Sequence, residues 1–210
     1  MRILLSLLLF LCFSFRLNAQ DDHLKPVEGI FSIPGYEFDY YSAVRKILFK
    51  GLPDYPDVRF VVIPSFTSEL VLDIEFDKEK EQCYLYYHRA NPSIWYNIGK
   101  KKITVDSTKK HINYSSFILI KTLFNYAISK AKYQQDSLTS VGVDGQTYFF
   151  SVSSIPDKTA TIWSPAEGSK MAKLVKIANH LVDLARSESD EIEFDADYRK
   201  EIVELTNSLK

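Results

Sequence analysis

The sequence predicts an α+β fold in which an antiparallel meander sheet packs against two or three helices, with helices at the C-terminus. Short β-branched or alternating segments follow one another between residues 58 and 106, as in a sheet built from consecutive strands. Two longer segments, 113–133 and 170–187, carry apolar residues at helical spacing. Because helices and strands are segregated along the chain, the pattern is typical of an α+β domain.

The strands are predicted from their apolar patterns. Val58–Ile63 is nearly all apolar, whereas in Glu69–Phe76 apolar residues alternate with mostly polar ones, as in a half-buried antiparallel strand. Gln82–Arg89 is expected to pair with that strand as a hairpin across a charged turn. Further short strands are predicted at Ile94–Tyr96, Ile103–Asp106, Gln146–Val152 and Lys158–Trp163.

Residues 163–169 are predicted to be structural. Ser164, followed by a proline and then a glutamate, has the pattern of a helix start, and Ser169 is the alternative cap. Trp163 is expected to pack between the last sheet strand and the helix over 170–187. Caps for other helices are predicted at Asp39 and at Asp195 or Asp197.

Residues 1–19 have the pattern of a cleavable signal peptide. Arg2 provides a positive start, Ile3–Phe15 is an almost continuous apolar run, and Ala19 is a small residue before the expected cleavage site. The run is shorter than the about 20 apolar residues that span a bilayer. We therefore expect an exported protein, periplasmic or extracellular, that begins at Gln20 and has no integral membrane anchor after processing.

Three segments are expected along the chain: the signal peptide 1–19, an exposed leader 20–36 that begins to dock at Ile30 and Phe31, and a single α+β domain 37–210. Removal of the signal peptide leaves 191 of the 210 residues, enough for one domain with a sizeable core. It also removes two of the 26 basic residues and no acidic one, which leaves 24 basic against 27 acidic residues and a net charge of −3. This near-neutral balance does not favour nucleic acid as a partner.

The sequence contains no recognisable catalytic or metal motif. It has neither GxSxG nor a P-loop, and its four histidines form no closely spaced pair, so no metal and no cofactor is predicted. Cys83 is the only cysteine left after processing and cannot form an intrachain disulfide. We interpret it as a buried core residue, with a reactive thiol or an intermolecular bridge as the alternative.

Aromatic residues provide the candidate binding site. Tyr84, Tyr86 and His88 share one face of their predicted strand, and Trp95 and Tyr96 follow shortly after. On an exposed face these rings would stack against a sugar ring or a partner chain. The alternative is that both faces of the strand are structural.

Carboxylates provide the candidate catalytic site. Glu69, Asp73 and Glu75 share a strand face, on which successive positions two residues apart are about 7 Å from each other. That spacing suits the acid and base of a glycosidase. The alternative is a solvated sheet face.

Two patterns resemble the C-terminal half of a set of uncharacterised bacterial exported proteins. They are Asp144-Gly145-x-x-Tyr148-x-Phe150 and Trp163-Ser164-Pro165-x-x-Gly168-Ser169, the latter followed by a Leu/Val-rich helix. Pro64-Ser65-Phe66-x-x-Glu69 is similar to an earlier strand of the same proteins. The resemblance implies a bacterial source. It implies no activity and no catalytic residue.

We therefore expect a non-enzymatic exported protein, either a protein- or glycan-binding accessory factor or an immunity-like factor of the bacterial envelope. The alternative is a hydrolase that acts on cell-wall or sugar polymers through the strand carboxylates, and a third hypothesis is a self-associating structural protein. An exposed carboxylate pair about 5–9 Å apart in a cleft would favour the enzyme. An exposed aromatic patch would favour the binding protein.

Overall fold

The structure is a computed structural model that describes residues 22–31, 38–133, 144–154 and 158–210. The predicted signal peptide lies outside the described residues. Within the described ranges the strands are β1 (Lys25–Val27), β2 (Val58–Pro64), β3 (Leu70–Asp77), β4 (Gln82–Asn91), β5 (Thr104–Ile112), β6 (Gln146–Val152), β7 (Lys158–Trp163) and β8 (Glu191–Ile192).

These strands form one open sheet in the order β1-β7-β6-β2-β3-β4-β5-β8. Its centre is the predicted meander, β2 to β5, in which each strand pairs antiparallel with the next. The hairpin β6–β7 joins the other side of β2. Among the strands of the described ranges, only β8 is parallel to its neighbour, β5.

Five helices accompany the sheet in the described part of the chain. They are α1 (Phe38–Leu48), α2 (Ile94–Asn97), α3 (Tyr114–Ser129), α4 (Lys170–Arg186) and α5 (Ala196–Leu209). Helices α3 and α4 cover one face of the sheet, here called the helical face, and α5 packs against both of them. The predicted α+β class with C-terminal helices is confirmed. No helix in the described ranges is long and apolar enough to cross a membrane.

The main core lies between the helical face and helices α3 and α4. Phe60 of β2, Phe150 of β6 and Phe124 of α3 are all fully buried there. The Phe150 ring lies 5.1 Å from the Phe60 ring and 5.0 Å from the Phe124 ring. Burial of each large side chain contributes on the order of 1.5–3 kcal/mol, so this cluster ties α3 to the middle of the sheet.

The opposite face of the sheet, here called the α1 face, carries a smaller core. Val61 of β2 and Phe149 of β6 pack there with Val44 and Leu48 of α1. Phe31 completes this core, because its ring meets that of Phe149 edge-on at 5.4 Å.

The prediction of an exposed leader over 20–36 is wrong at Leu24 and β1, whereas Phe31 is buried, in agreement with the docking expected at Ile30 and Phe31. Leu24 is fully buried, and β1 pairs with the edge of β7. The leader shows no apolar periodicity, but β1 pairs with backbone groups at the edge of the sheet that would otherwise be unpaired, and Leu24 packs into the core beside it. The other residues of the leader lie outside the described part of the chain.

The predicted strand Ile94–Tyr96 is also wrong, since these residues begin the short helix α2. The carboxylate of Glu69 accepts hydrogen bonds from the backbone N–H groups of Ile94 and Trp95, at 2.8 and 3.0 Å. Free N–H groups at a helix start need such an acceptor. The acceptor here comes from a side chain 25 residues away in sequence. The local sequence therefore gives no sign of a helix start, and its apolar residues suggest a strand.

Two of the longer helices begin at predicted caps. Ser169 accepts a hydrogen bond from the backbone of Ala172 and caps α4, and Asp195 caps α5 through Tyr198. Ser164 is not the cap of α4, because its side chain bonds elsewhere in the sheet. The alternative cap Ser169 is therefore confirmed.

Cys83 of β4 is buried on the helical face, as predicted. Burial raises the pKa of its thiol to about 11, and the nearby charge of Asp57 acts in the same direction. Since the thiolate is the reactive form, we expect Cys83 in the folded mature chain to react very slowly with a disulfide reagent such as DTNB at pH 8. The unfolded chain in guanidinium should react at once. Rapid stoichiometric labelling of the folded chain would contradict a purely structural thiol.

Candidate functional site

The tyrosines of β4 do not form an open stacking surface. Tyr84 is 8% exposed, because Lys109 covers its ring at 4.0 Å and the His111 ring lies 4.7 Å away. Lys109 also lies 4.9 Å from the ring of Tyr86. The lysine thus occupies the position in which a ligand would stack, and cation–π contacts of this kind stabilise the sheet surface.

His88 lies apart from these tyrosines, under the end of α1. Its Nδ1 is 2.7 Å from the carbonyl oxygen of Leu48. That contact fixes the last turn of α1 on the sheet. The strand residues of the predicted binding site are therefore engaged in contacts within the protein.

The first predicted carboxylate, Glu69, is fully buried. Besides the two N–H groups of α2, it accepts hydrogen bonds from the hydroxyl of Tyr40 at 2.9 Å and from that of Ser93 at 3.2 Å. Four donors around one carboxylate account for its burial without solvent. Glu69 thus joins α1, β3 and α2.

The second carboxylate, Asp73, is also fully buried, in a two-point ion pair with Arg59. Arg59 Nε donates to one carboxylate oxygen at 2.8 Å and Nη2 to the other at 2.6 Å. Burial raises the pKa of Asp73, while the hydrogen bonds and positive charge of Arg59 lower it.

Glu75 is the partly exposed member of the predicted trio, and its contact with the hydroxyl of Tyr86 is long, at 3.5 Å. The three carboxylates thus share a sheet face, as predicted, but two of them are buried among structural partners. They do not form an exposed pair in a cleft. Within the described ranges, no group of three or more His, Cys, Asp or Glu side chains is placed to hold a metal ion.

Exposed aromatic side chains gather at one end of the sheet. At this end β2, β4 and β7 finish and β3 and β6 begin, as the strand registers show. We call this group the aromatic end, and define it as Phe66, Trp95, Tyr96 and Trp163, which are 67%, 47%, 44% and 40% exposed. Two of them, Trp95 and Tyr96, belong to the predicted binding site.

Contacts beneath the rings hold Trp95 and Tyr96 in place. The Trp95 ring meets that of Tyr40 edge-on at 4.8 Å, and its backbone N–H is bound by Glu69. The hydroxyl of Tyr96 donates to the carbonyl oxygen of Ser65 at 2.7 Å. Both rings are fixed at one side and exposed at the other.

Trp163 is exposed, so the prediction that it packs under α4 is wrong. Its neighbours Ala160 and Ile162 face the helical core, and side chains alternate along a strand, so Trp163 points to the other face. There its indole lies against Gly145, where a Cβ atom would be 2.5 Å from the ring. A larger residue at this position would displace the Trp163 ring or the Ser164 hydroxyl, which also lies 2.5 Å from that Cβ position.

Ser164 closes the β6–β7 hairpin at the same end. Its backbone N–H donates to the carbonyl of Gln146, and its hydroxyl oxygen accepts from the N–H of Gln146, both at 2.9 Å. Its φ of 33° is unusual for a residue other than glycine. This contact explains why Ser164 does not cap α4.

The segments that carry the bacterial resemblance therefore meet at one place. The hydroxyl of Ser65 donates to the carbonyl of Gly145 at 2.8 Å and accepts from its N–H at 3.1 Å. Gly145 in turn contacts Trp163 and Ser164. Sequence reasoning assigned each segment a local role, and no signal in it indicated that residues 65, 145 and 164 are neighbours.

Around α2, the exposed charged side chains near the aromatic end are all positive. Segments 64–68 and 91–105 contain no Asp or Glu, and Lys100, Lys101 and Lys102 are exposed shortly after α2. The carboxylate that does approach, Glu69, is buried. The exposed surface there combines apolar rings with positive charge.

Comparison of the chain with protein-family models, with curated proteins and with solved structures finds no match. The resemblance to bacterial exported proteins stays a prediction.

Proposed function

We propose that this chain is a non-enzymatic exported protein of the bacterial envelope that binds a partner protein through the aromatic end. The observation that supports this proposal is the set of four exposed aromatic side chains at a single end of the sheet. Exposed large apolar side chains that lie together mark interaction surfaces. Trp and Tyr are also the residues most enriched among those that dominate binding energy at protein interfaces.

Preorganisation favours binding at this surface. The rings of Trp95, Tyr96 and Trp163 are each held on one side by Tyr40, Ser65 and Gly145 respectively. A side chain that is already ordered loses little conformational entropy on binding. The scaffold thus places the aromatic rings before a partner arrives.

A protein partner suits this surface better than a glycan. Phe66 and Ile98 add apolar side chains that are 67% and 40% exposed, and Lys100–Lys102 provide a charged border. Apolar centres with polar rims are typical of protein interfaces. The lysines indicate a partner with an acidic border.

Site-specific photo-crosslinking tests the proposal. Phe66 is replaced by a benzophenone amino acid in the full chain, expressed with its own export signal in a bacterium. We expect a discrete protein adduct that disappears when Trp95 is also changed to alanine. The matched control places the same amino acid at Tyr114, which is 58% exposed at the opposite end of the sheet, and should give no such adduct.

The chain contains only two tryptophans, and both belong to the aromatic end. Once the adduct is identified, acrylamide quenching of intrinsic fluorescence therefore reports on this surface without a label. Binding of the partner should protect both indoles from acrylamide. Equal adducts at positions 66 and 114, or adducts with glycan alone, would refute a protein-binding aromatic end.

A further inference from the structure

A cavity of about 400 Å³ lies at the end of the sheet opposite the aromatic end. It is a cleft open to solvent on one side and bordered by the turn after β1, the end of α1, the loop before β2 and the ends of β2, β6 and β7. Its volume falls in the range of small-molecule sites, about 300–1,000 Å³. Its polar lining includes Arg45, Arg59, Ser151 and Thr159.

Arg59 brings an unused donor to this cavity. Its side chain is only 10% exposed. Nε and Nη2 bind Asp73, and Nη2 also donates to the carbonyl of Pro53 at 2.8 Å. Nη1 carries two N–H groups and has no hydrogen-bond partner among the described residues. Every fully buried side-chain nitrogen in the described chain has a partner. Nη1 is therefore accessible to solvent. The Phe49 ring lies 4.4 Å from the centre of the guanidinium, and both residues line the cavity, so Nη1 is the donor that Arg59 can offer to a ligand there.

A second guanidinium lines the same cavity. Arg45 of α1 uses one N–H group on the carbonyl of Ile30, at 2.7 Å. Its other donors have no partner in the described ranges. On the sheet side, the hydroxyl of Thr159 donates to Ser151 at 3.1 Å, which leaves the Ser151 proton free to donate.

We propose that this cavity binds a small carboxylic acid with an apolar body. A carboxylate accepts from two N–H groups in one plane, which matches guanidinium donors. The apolar body would lie against Phe49, Pro53 and Pro56, which form the remaining wall with Tyr55. The proposal concerns the opposite end of the sheet and is independent of the proposed partner surface.

Charge favours a single negative charge over a phosphate dianion. The two positive charges of Arg45 and Arg59 are outnumbered by three carboxylates, namely Asp73 in the ion pair with Arg59 and Glu28 and Asp54 in the lining of the cavity. Because the net charge of these five groups is −1, directed hydrogen bonds from the guanidinium groups, and not the overall charge, would hold the ligand, and each further negative charge on it would add repulsion. A monocarboxylate therefore fits better than phosphate.

Ligand-observed ¹⁹F NMR on the mature chain tests this assignment with 4-fluorobenzoate as the probe. We expect the probe resonance to broaden on addition of protein. The neutral isostere 4-fluorobenzamide should not broaden, and inorganic phosphate should not displace the benzoate. Arg45→Met should weaken benzoate binding by about tenfold or more, as expected for loss of a hydrogen bond to a charged group.

The control variant is Arg186→Met, which changes an exposed arginine on the helical side of the sheet and should leave benzoate binding unchanged. Circular dichroism and a thermal melt establish that both variants are folded. Arg45 is exposed, so its replacement leaves the Arg59–Asp73 pair in place. Failure of 4-fluorobenzoate, acetate and N-acetylated amino acids to bind would overturn the proposal. Equal binding by Arg45→Met, or tighter binding of phosphate, would also overturn it.

Discussion

Asp73→Ala is expected to lower the free energy of unfolding by about 3–5 kcal/mol, because it leaves the buried guanidinium of Arg59 without its counter-charge. Removal of one member of a buried ion pair costs more than the pair itself contributes, since the remaining charge stays out of water. For a domain of this size the melting temperature should fall by roughly 6–20 °C. Thermal melts followed by circular dichroism measure the change.

The double variant Arg59→Met/Asp73→Leu is the matched control. Both charges are absent in this variant, and apolar side chains of similar volume are often tolerated at such sites. It should therefore melt well above Asp73→Ala. A melting temperature of Asp73→Ala within 2 °C of the wild type, taking about 2–4 °C per kcal/mol, would show that the pair is not critical to the fold.

Glu69→Ala is expected to cost about 2–4 kcal/mol in the free energy of unfolding. The hydroxyls of Tyr40 and Ser93 can rotate to other acceptors, but the backbone N–H groups of Ile94 and Trp95 cannot. An orphaned buried donor costs about 1–3 kcal/mol. Because Glu69 fixes α2, the fluorescence of Trp95 should also shift towards that of a solvated indole.

Glu75→Ala provides the comparison on the same strand face. The carboxylate of Glu75 is partly exposed and its contact with Tyr86 is weak. The melting temperature and tryptophan emission of the Glu75→Ala variant should therefore stay near those of the wild type. Urea titrations of the two variants measure the free energies directly. Equal losses in both variants would contradict a special role for Glu69.

The two carboxylates also connect the fold with its two proposed sites. Glu69 positions Trp95 at the aromatic end, and Asp73 holds Arg59 beside the cavity at the opposite end. Neither carboxylate is available for hydrolysis in this arrangement. The spacing that predicted an acid and a base instead reflects two structural anchors, Glu69 directly before β3 and Asp73 within it.

Much of the fold could be predicted because its signals are local. Alternation identified β3, the charged turn after it identified β4 as its hairpin partner, and the cap residues Ser169 and Asp195 identified the starts of two helices. The burial of Cys83 was predicted because a lone cysteine without a disulfide partner is usually a core residue.

The candidate site was predicted only in part. Trp95 and Tyr96 were expected to bind and are exposed, whereas Tyr84 is covered by Lys109. Trp163 was expected to be buried, but alternate side chains of β7 face opposite sides of the sheet, and Trp163 lies on the side away from α4. A sequence pattern shows which residues share a face without showing what covers that face.

The sequence by itself determined the α+β class, the central strands and most helix starts, because these depend on residues within a few positions of one another. Only the tertiary structure decided which carboxylates are buried and which rings are exposed. Glu69 meets α2 across 25 residues, and Ser65 meets Gly145 across 80. Contacts of such separation depend on how strands are ordered in the sheet, and no local periodicity encodes that order.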